Sequence, residues 1–318
     1  MRLKTERDKN NHSSYIILYE KPVGKPMGFS IFRSMNKLIG ILLLILVVFA
    51  CQEKTINLGK DNSFDKETNV AYGNDSQQKL DLYIPKNKDS IRGIFVIIHG
   101  GGWKSGDKSN LTFFTLSLML KMPDYAFANI NYRLADANSF VLPNQTDDID
   151  EALGVLVKRF GPKTKFILLG NSAGAHLSML YGYNSFFDLK HHNKIKAVVN
   201  IVGPADLLHK DFASYADYAF VEKHMIDMKM PPPTDLTNRD IPNPVYWINE
   251  NSPPTISFYG NNDQVVPLSQ KGILDSALNK NGIYHQSFQF PGGHLDWMNE
   301  KNSPFIINKI EKFLNHIK

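Results

Sequence analysis

Ser172, Asp263 and His294 lie far apart in the chain, and their types are those that nucleophilic acyl chemistry requires. A serine hydroxyl is a weak nucleophile until a base takes its proton, and the base needs an acid to hold its ring. Ser172 sits in G-N-S-A-G at residues 170–174, behind a short apolar run at 165–169 and ahead of another at 173–183. That reads as strand, sharp turn and helix, with glycines where flanking side chains would clash. His294 follows Gly292-Gly293 after a strand-like run at 285–290, and Asp263 closes G-N-N-D after the run at 255–259. Asp206, in G-P-A-D after the run at 197–202, competes with Asp263 as the acid.

A tetrahedral oxyanion needs backbone N–H donors aimed at it. One is expected from Ala173, directly after the serine. The others are expected from H-G-G-G-W at residues 99–103, where glycines let the backbone approach a substrate. The same loop comes close to a phosphate-binding pattern, since residues 101–109 read G-G-W-K-S-G-D-K-S. Asp107 stands where that pattern needs lysine and puts a carboxylate where phosphate charge would sit, so the phosphate reading fails. His99 is then a loop-shaping residue and Trp103 packs under the loop.

The other histidines fit structural roles. His176 lies in the helix after Ser172 and is expected to pack or hydrogen-bond, and His285 lies inside a strand. His191 and His192 read as a solvated loop. Asp296 reads as a cap of the last helix. With no cysteine ligand in the body, no zinc pattern is present, and no metal or cofactor is expected.

These residues must be carried by elements, and the hydrophobic pattern supplies them. Strands are expected at 91–98, 125–131, 165–169, 197–202, 255–259 and 285–290. Helices are expected at 111–122, 147–160, 173–183, 269–278 and 306–317. A hairpin around Gly73-Asn74-Asp75 precedes them. Such alternation means a mainly parallel central sheet with helices on both faces, in one α/β domain over residues 67–318. Residues 207–250, with Pro231-Pro232-Pro233, break the rhythm and read as a cap-like insertion.

Hydrophobic residues make up 42% of the chain, enough for a sizeable core. The formal net charge of +5 is confined to residues 1–50, which hold eight Lys/Arg and three Asp/Glu, leaving 28 of each sign in the remainder. A neutral body removes the basis for nucleic-acid binding. From Met35 the chain runs M-N-K-L-I-G-I-L-L-L-I-L-V-V-F-A-C, with an apolar stretch suited to a signal-peptide core and short for a membrane span. Residues 35–50 are therefore expected to be a signal peptide. Residues 1–34 are expected to lie outside the native product, with Met35 as its start. Val48-Phe49-Ala50-Cys51 resembles a bacterial lipobox, so Cys51 is expected to be lipidated and residues 51–66 to form a tether. Cys51 is the only cysteine, which excludes an internal disulfide. The expected location is the cell envelope, on the periplasmic or surface face of a bacterial membrane, or outside the cell if Cys51 is not lipidated.

Residues 99–103, 170–174, Asp263 and His294 together resemble the α/β-hydrolase superfamily. The similarity is to its carboxylesterase branch near hormone-sensitive lipase and the bacterial acetyl and feruloyl xylan esterases. L-D-L-Y-I-P at 80–85, N-Y-R-L at 131–134, Pro143 with Asp148, N-P at 243–244 and S-P-P-T at 252–255 extend the likeness over about residues 68–315. Ala135-Asp136 departs from the hormone-sensitive lipases and favours the xylan-esterase side. The resemblance implies the α/β-hydrolase fold, Ser172 as nucleophile, Asp263 as acid, His294 as base, and Gly101, Gly102 and Ala173 as oxyanion donors. Arg133 and Asp148 are assigned to structure, as a pair. The substrate expected is a small-molecule or carbohydrate ester. The alternatives are an arylformamidase or peptidase with the same residues, and a surface lipoprotein that binds a glycan without catalysis.

Overall fold

The computed structural model describes residues 4–7, 14–17, 54–59, 62–86, 91–184, 189–212, 218–229, 231–232 and 236–317. It divides into two units, Met1–Gln52 and Glu53–Lys318. In the first, β1 (Lys4–Arg7) pairs antiparallel with β2 (Ser14–Ile17). The expected signal peptide and Cys51 lie outside the described residues.

The second unit contains, in chain order, β3 (Lys54–Asn57), β4 (Ser63–Ala71), β5 (Lys79–Pro85), β6 (Ile94–Ile98), α1 (Thr112–Lys121), β7 (Ala126–Ile130), α2 (Asn144–Phe160), β8 (Phe166–Asn171) and α3 (Ala173–Tyr183). It continues with β9 (Ile195–Ile201), α4 (Tyr218–His224), β10 (Thr255–Gly260), α5 (Ser269–Lys280), β11 (His285–Phe290) and α6 (Asn302–His316). The described strands form a nine-stranded sheet in the order β11-β10-β9-β8-β6-β7-β5-β4-β3. Pairs from β11 to β7 are parallel, and those from β7 to β3 antiparallel.

Period-two alternation in β6 sorts its side chains between two cores. Ile94, Val96 and Ile98 face one, with Ile149, Leu153 and Leu156 of α2, Leu177 of α3 and Leu274 of α5. Phe95 and Ile97 face the other, with Phe114 and Leu118 of α1 and Ile306, Ile310 and Phe313 of α6. Helices on both faces bury the sheet, which is why its central strands read as continuous apolar runs. Each large apolar side chain buried this way contributes about 1.5–3 kcal/mol.

Residues expected within a tether pair instead as strands, the edge strand β3 and the start of β4 next to it, with Ile56 opposite Phe64. Only those two are large and apolar there, because an edge strand faces solvent on much of its surface and reads as polar. Two helices begin earlier than their apolar pattern. In α2 the first turn is polar, with Gln145 and Thr146 buried. In α6 the first turn holds Pro304, which is tolerated there because no intrahelical N–H bond is required. Asp296 does not cap α6. It opens a short 3-10 turn, Asp296–Met298, and its Oδ2 accepts the Gly293 N–H at 2.6 Å.

The insertion at 207–250 holds α4 and a 3-10 turn, Pro244–Tyr246. It is bonded to the body: Val141 and Leu142 N–H donate to His224 and Met225 carbonyls, and Val245 N–H donates to Ala205 O. Leu207, Val221, Met225, Ile226 and Pro242 line an apolar pocket within it.

Candidate active site

β8 ends at Asn171 and α3 starts at Ala173, so Ser172 alone makes the turn, at φ 52° and ψ −122°. A non-glycine residue in this region is strained, and the surrounding backbone holds it there. A Cβ on Gly170 would lie 2.3 Å from the Gly174 carbonyl carbon, and one on Gly174 would lie 2.1 Å from the Ile98 carbonyl oxygen. Both glycines are therefore required by close backbone approach.

Ser172 Oγ donates to His294 Nε2 at 2.9 Å, and His294 Nδ1 donates to Asp263 Oδ2 at 2.8 Å. A carboxylate can only accept here, so the proton lies on Nδ1 and Nε2 keeps a lone pair for the serine proton. Asp263 is held by its other oxygen, which accepts the N–H of Val265 at 2.8 Å and of Val266 at 3.0 Å. Its side chain is fully buried, while that of His294 is 13% exposed. Asp206 turns its carboxylate elsewhere: its Oδ1 accepts the Leu208 N–H at 2.9 Å. Of the two candidate acids, Asp263 is the one bonded to His294.

The glycine loop follows β6 and approaches this turn. Gly101 and Gly102 have φ of 115° and 59°, values that favour glycine. The Gly100 N–H donates to Asn171 Oδ1 at 3.0 Å, fastening the loop to the turn before Ser172. Ala173 is the first residue of α3, so its N–H belongs to the helix end that lacks intrahelical acceptors. The loop that carries Gly101 and Gly102 is thus fastened at Gly100 to the turn that holds Ser172, and Ala173 follows that serine directly.

His99 is 1% exposed and its ring stacks on Tyr132 at 4.4 Å. Burial lowers its pKa, against the bond from Nδ1 to Gly100 O at 2.7 Å. It shapes the loop, as expected, and is not the partner of Ser172. Trp103 is 2% exposed beneath the loop, and its indole N–H donates to His176 Nδ1 at 3.1 Å. Burial lowers the His176 pKa to about 4, partly offset by the bond to Pro242 O, so the ring is neutral. Asp107 caps a 3-10 turn, Lys108–Leu111, with the Ser109 N–H at 2.8 Å. Burial works to raise its pKa, but hydrogen bonds from Ser109 and Asn131 prevail and hold it at about 2.

His191 and His192 were expected in a solvated loop. Both are instead half-buried and bonded, His191 Nδ1 to Asp150 Oδ1 at 3.2 Å and His192 Nε2 to Gly182 O at 2.9 Å. The expected Arg133–Asp148 pair is present, with Arg133 Nη2 2.6 Å from Asp148 Oδ1. Sequence reasoning missed Asn171 and Gln145. Asn171 is the variable position of the G-x-S-x-G motif. Gln145 precedes the apolar periodicity of α2, yet its Nε2 donates to the carbonyls of Trp103 at 2.8 Å and Arg133 at 2.9 Å.

A mainly parallel sheet, a strained serine between strand and helix, and Ser, Asp and His in that chain order are the features of the α/β-hydrolase fold. The BD-FAE family profile matches residues 80–278, and the chain belongs to that family. Esterase LipC of Mycobacterium tuberculosis is 27% identical over 264 residues, 78% of this chain and 64% of that protein. The isoprenylcysteine alpha-carbonyl methylesterase ICME of Arabidopsis thaliana is 24% identical over 153 residues, 46% of this chain and 34% of that protein. Kynurenine formamidase avaC of Aspergillus versicolor is 34% identical over 102 residues, 29% of this chain and 36% of that protein. The chain therefore spans less than two thirds of the length of each of these relatives. Among solved structures, a truncated carbohydrate esterase from gut microbiota matches with TM-score 0.61 at 20% identity, covering 81% of this chain and 99% of that one. Esterase B from Lactobacillus rhamnosis matches with TM-score 0.64 at 20% identity, covering 90% and 94%.

Proposed function

We propose that this chain is a serine carboxylesterase that hydrolyses short acyl esters, among them acetyl esters on carbohydrate, through an acyl-enzyme on Ser172. The observation that carries the reading is the run of two hydrogen bonds from Asp263 through His294 to Ser172, at 2.8 and 2.9 Å. As Ser172 Oγ attacks the ester carbonyl, His294 Nε2 takes its proton, and the buried Asp263 carboxylate stabilises the imidazolium. The tetrahedral oxyanion forms between the N–H groups of Ala173, Gly101 and Gly102. Collapse expels the alcohol, which leaves with the proton from Nε2. Water then repeats the cycle on the acyl-enzyme, giving its proton to His294 and releasing the acid.

The carbohydrate substrate is supported by the likeness to a carbohydrate esterase and by the expected location at the cell envelope, through lipid at Cys51. A second reading, an arylformamidase using the same residues, draws on the relatives named kynurenine formamidase. The test is hydrolysis of p-nitrophenyl esters of rising chain length, acetylated xylan and an aryl formamide by the purified chain and its Ser172→Ala variant. The variant is expected to lose all but a trace of turnover, on the order of a 10⁶-fold fall in kcat. Unchanged turnover would overturn the assignment. Preference for the formamide would select the second reading.

A further inference from the structure

Trp103 directly follows Gly102 and takes φ 62°, a left-handed backbone that a bulky side chain adopts only when its surroundings impose it. Two fully buried side chains hold it there. Gln145 Nε2 donates to the Trp103 carbonyl at 2.8 Å, and His176 Nδ1 accepts the indole N–H at 3.1 Å with the rings edge to face at 5.2 Å. The other nitrogen of His176 donates to the Pro242 carbonyl of the insertion at 2.7 Å. An indole only donates and a carbonyl only accepts, so the hydrogen-bond partners fix the tautomer as Nε2–H with a bare Nδ1. His176 is also one turn beyond the serine, its N–H donating to the Ser172 carbonyl at 3.0 Å. One residue thus joins three parts: its backbone N–H holds the serine turn, and its ring bonds the glycine loop at Trp103 and the insertion at Pro242.

We infer that His176 is a positioning residue, which holds the Gly101–Gly102 backbone in register with Ser172 through Trp103 and ties both to the insertion. This rests on the esterase reading above. Oxyanion donors act on charge that develops in the transition state, so a displaced loop slows acyl transfer more than it weakens substrate binding. Trp103 and His176 act as a unit, and removing either bond partner has the same consequence.

The experiment measures kcat and KM for p-nitrophenyl acetate, with active sites counted by fluorophosphonate titration. The proteins compared are wild type, Ser172→Ala, Trp103→Phe, His176→Phe, the double Phe variant and His176→Asn. An asparagine oxygen can stand near the place of Nδ1, keeping the acceptor for Trp103 while giving up Pro242. Trp103→Phe and His176→Phe are each expected to lower kcat about tenfold to a hundredfold with KM near wild type. The double variant is expected to be no slower than either single one, and His176→Asn to recover most of the loss. The inference is overturned by wild-type kcat in either Phe variant, by losses that multiply, by a change in KM alone, or by His176→Asn as slow as His176→Phe. Should His176→Phe not fold, Trp103→Phe and His176→Asn decide the matter. Turnover retained in Ser172→Ala would instead overturn the esterase reading. Loss there with unaffected His176 variants would overturn this inference alone.

Discussion

Ser172 and His294 are 122 positions apart in the chain, yet Oγ and Nε2 stand 2.9 Å apart. The sheet closes that distance. β8, β9, β10 and β11 are successive parallel neighbours, so the loops leaving their carboxyl ends emerge on one side. Ser172 leaves β8, Asp263 leaves β10 and His294 leaves β11. The buried sheet makes their spacing a property of the core rather than of the loops.

Asp263 is expected to matter through the tautomer it imposes. Its carboxylate can only accept from His294 Nδ1, whereas an asparagine amide can also donate and permit the wrong tautomer. Asp263→Asn is expected to lower kcat on the order of 10⁴-fold, with the fold intact. Asp206→Asn is expected to leave kcat close to wild type, because its carboxylate bonds the Leu208 N–H instead. Side-by-side kinetics check this, and the reverse ranking would move the acid to Asp206.

The site residues were legible because each follows a strand and sits among glycines, and both signals survive in a bare sequence. The central strands were legible because burial on both faces makes them apolar throughout. The edge strand β3 and the start of β4 beside it were not, since Ile56 and Phe64 are isolated apolar residues there in polar surroundings. Nor were Asn171 and Gln145, which act through backbone groups distant in sequence and carry no periodic signature. The half-burial of His191 and His192 likewise follows from where Asp150 and Gly182 fall in the packed structure.

Asp148 supports the loop after β7. Its carboxylate is fully buried and takes Arg133 Nε at 2.8 Å, the Arg133 N–H at 2.7 Å and Gln78 Nε2 at 2.8 Å. Arg133→Met leaves that charge without its cation, and the variant is expected to lose about 3 kcal/mol of stability. Urea denaturation measures it. A loss well under 1 kcal/mol would mean that Gln78 and the backbone suffice to hold the carboxylate.

Asp147, in the first turn of α2, is expected to make stability depend on pH. Burial raises its pKa from 3.8 to about 6; Arg133 pulls the other way, while Asp148, Glu151 and Asp150 add to the rise. A carboxyl whose folded pKa lies above its unfolded value binds its proton more tightly in the native state. Its ionisation therefore costs stability: the cost is absent below 3.8, grows as pH rises towards about 6, and is complete above that. The helix N-terminus attracts a carboxylate, but the net upward shift means that burial and the neighbouring acids outweigh it. Asp147→Asn removes the ionisable group and is expected to raise the melting temperature at about pH 8, with no such gain near pH 4. Thermal denaturation of both proteins across that range checks the sign. A gain of equal size at both ends would assign the effect to packing, and no gain at about pH 8 would show that Asp147 ionises in the native state without cost.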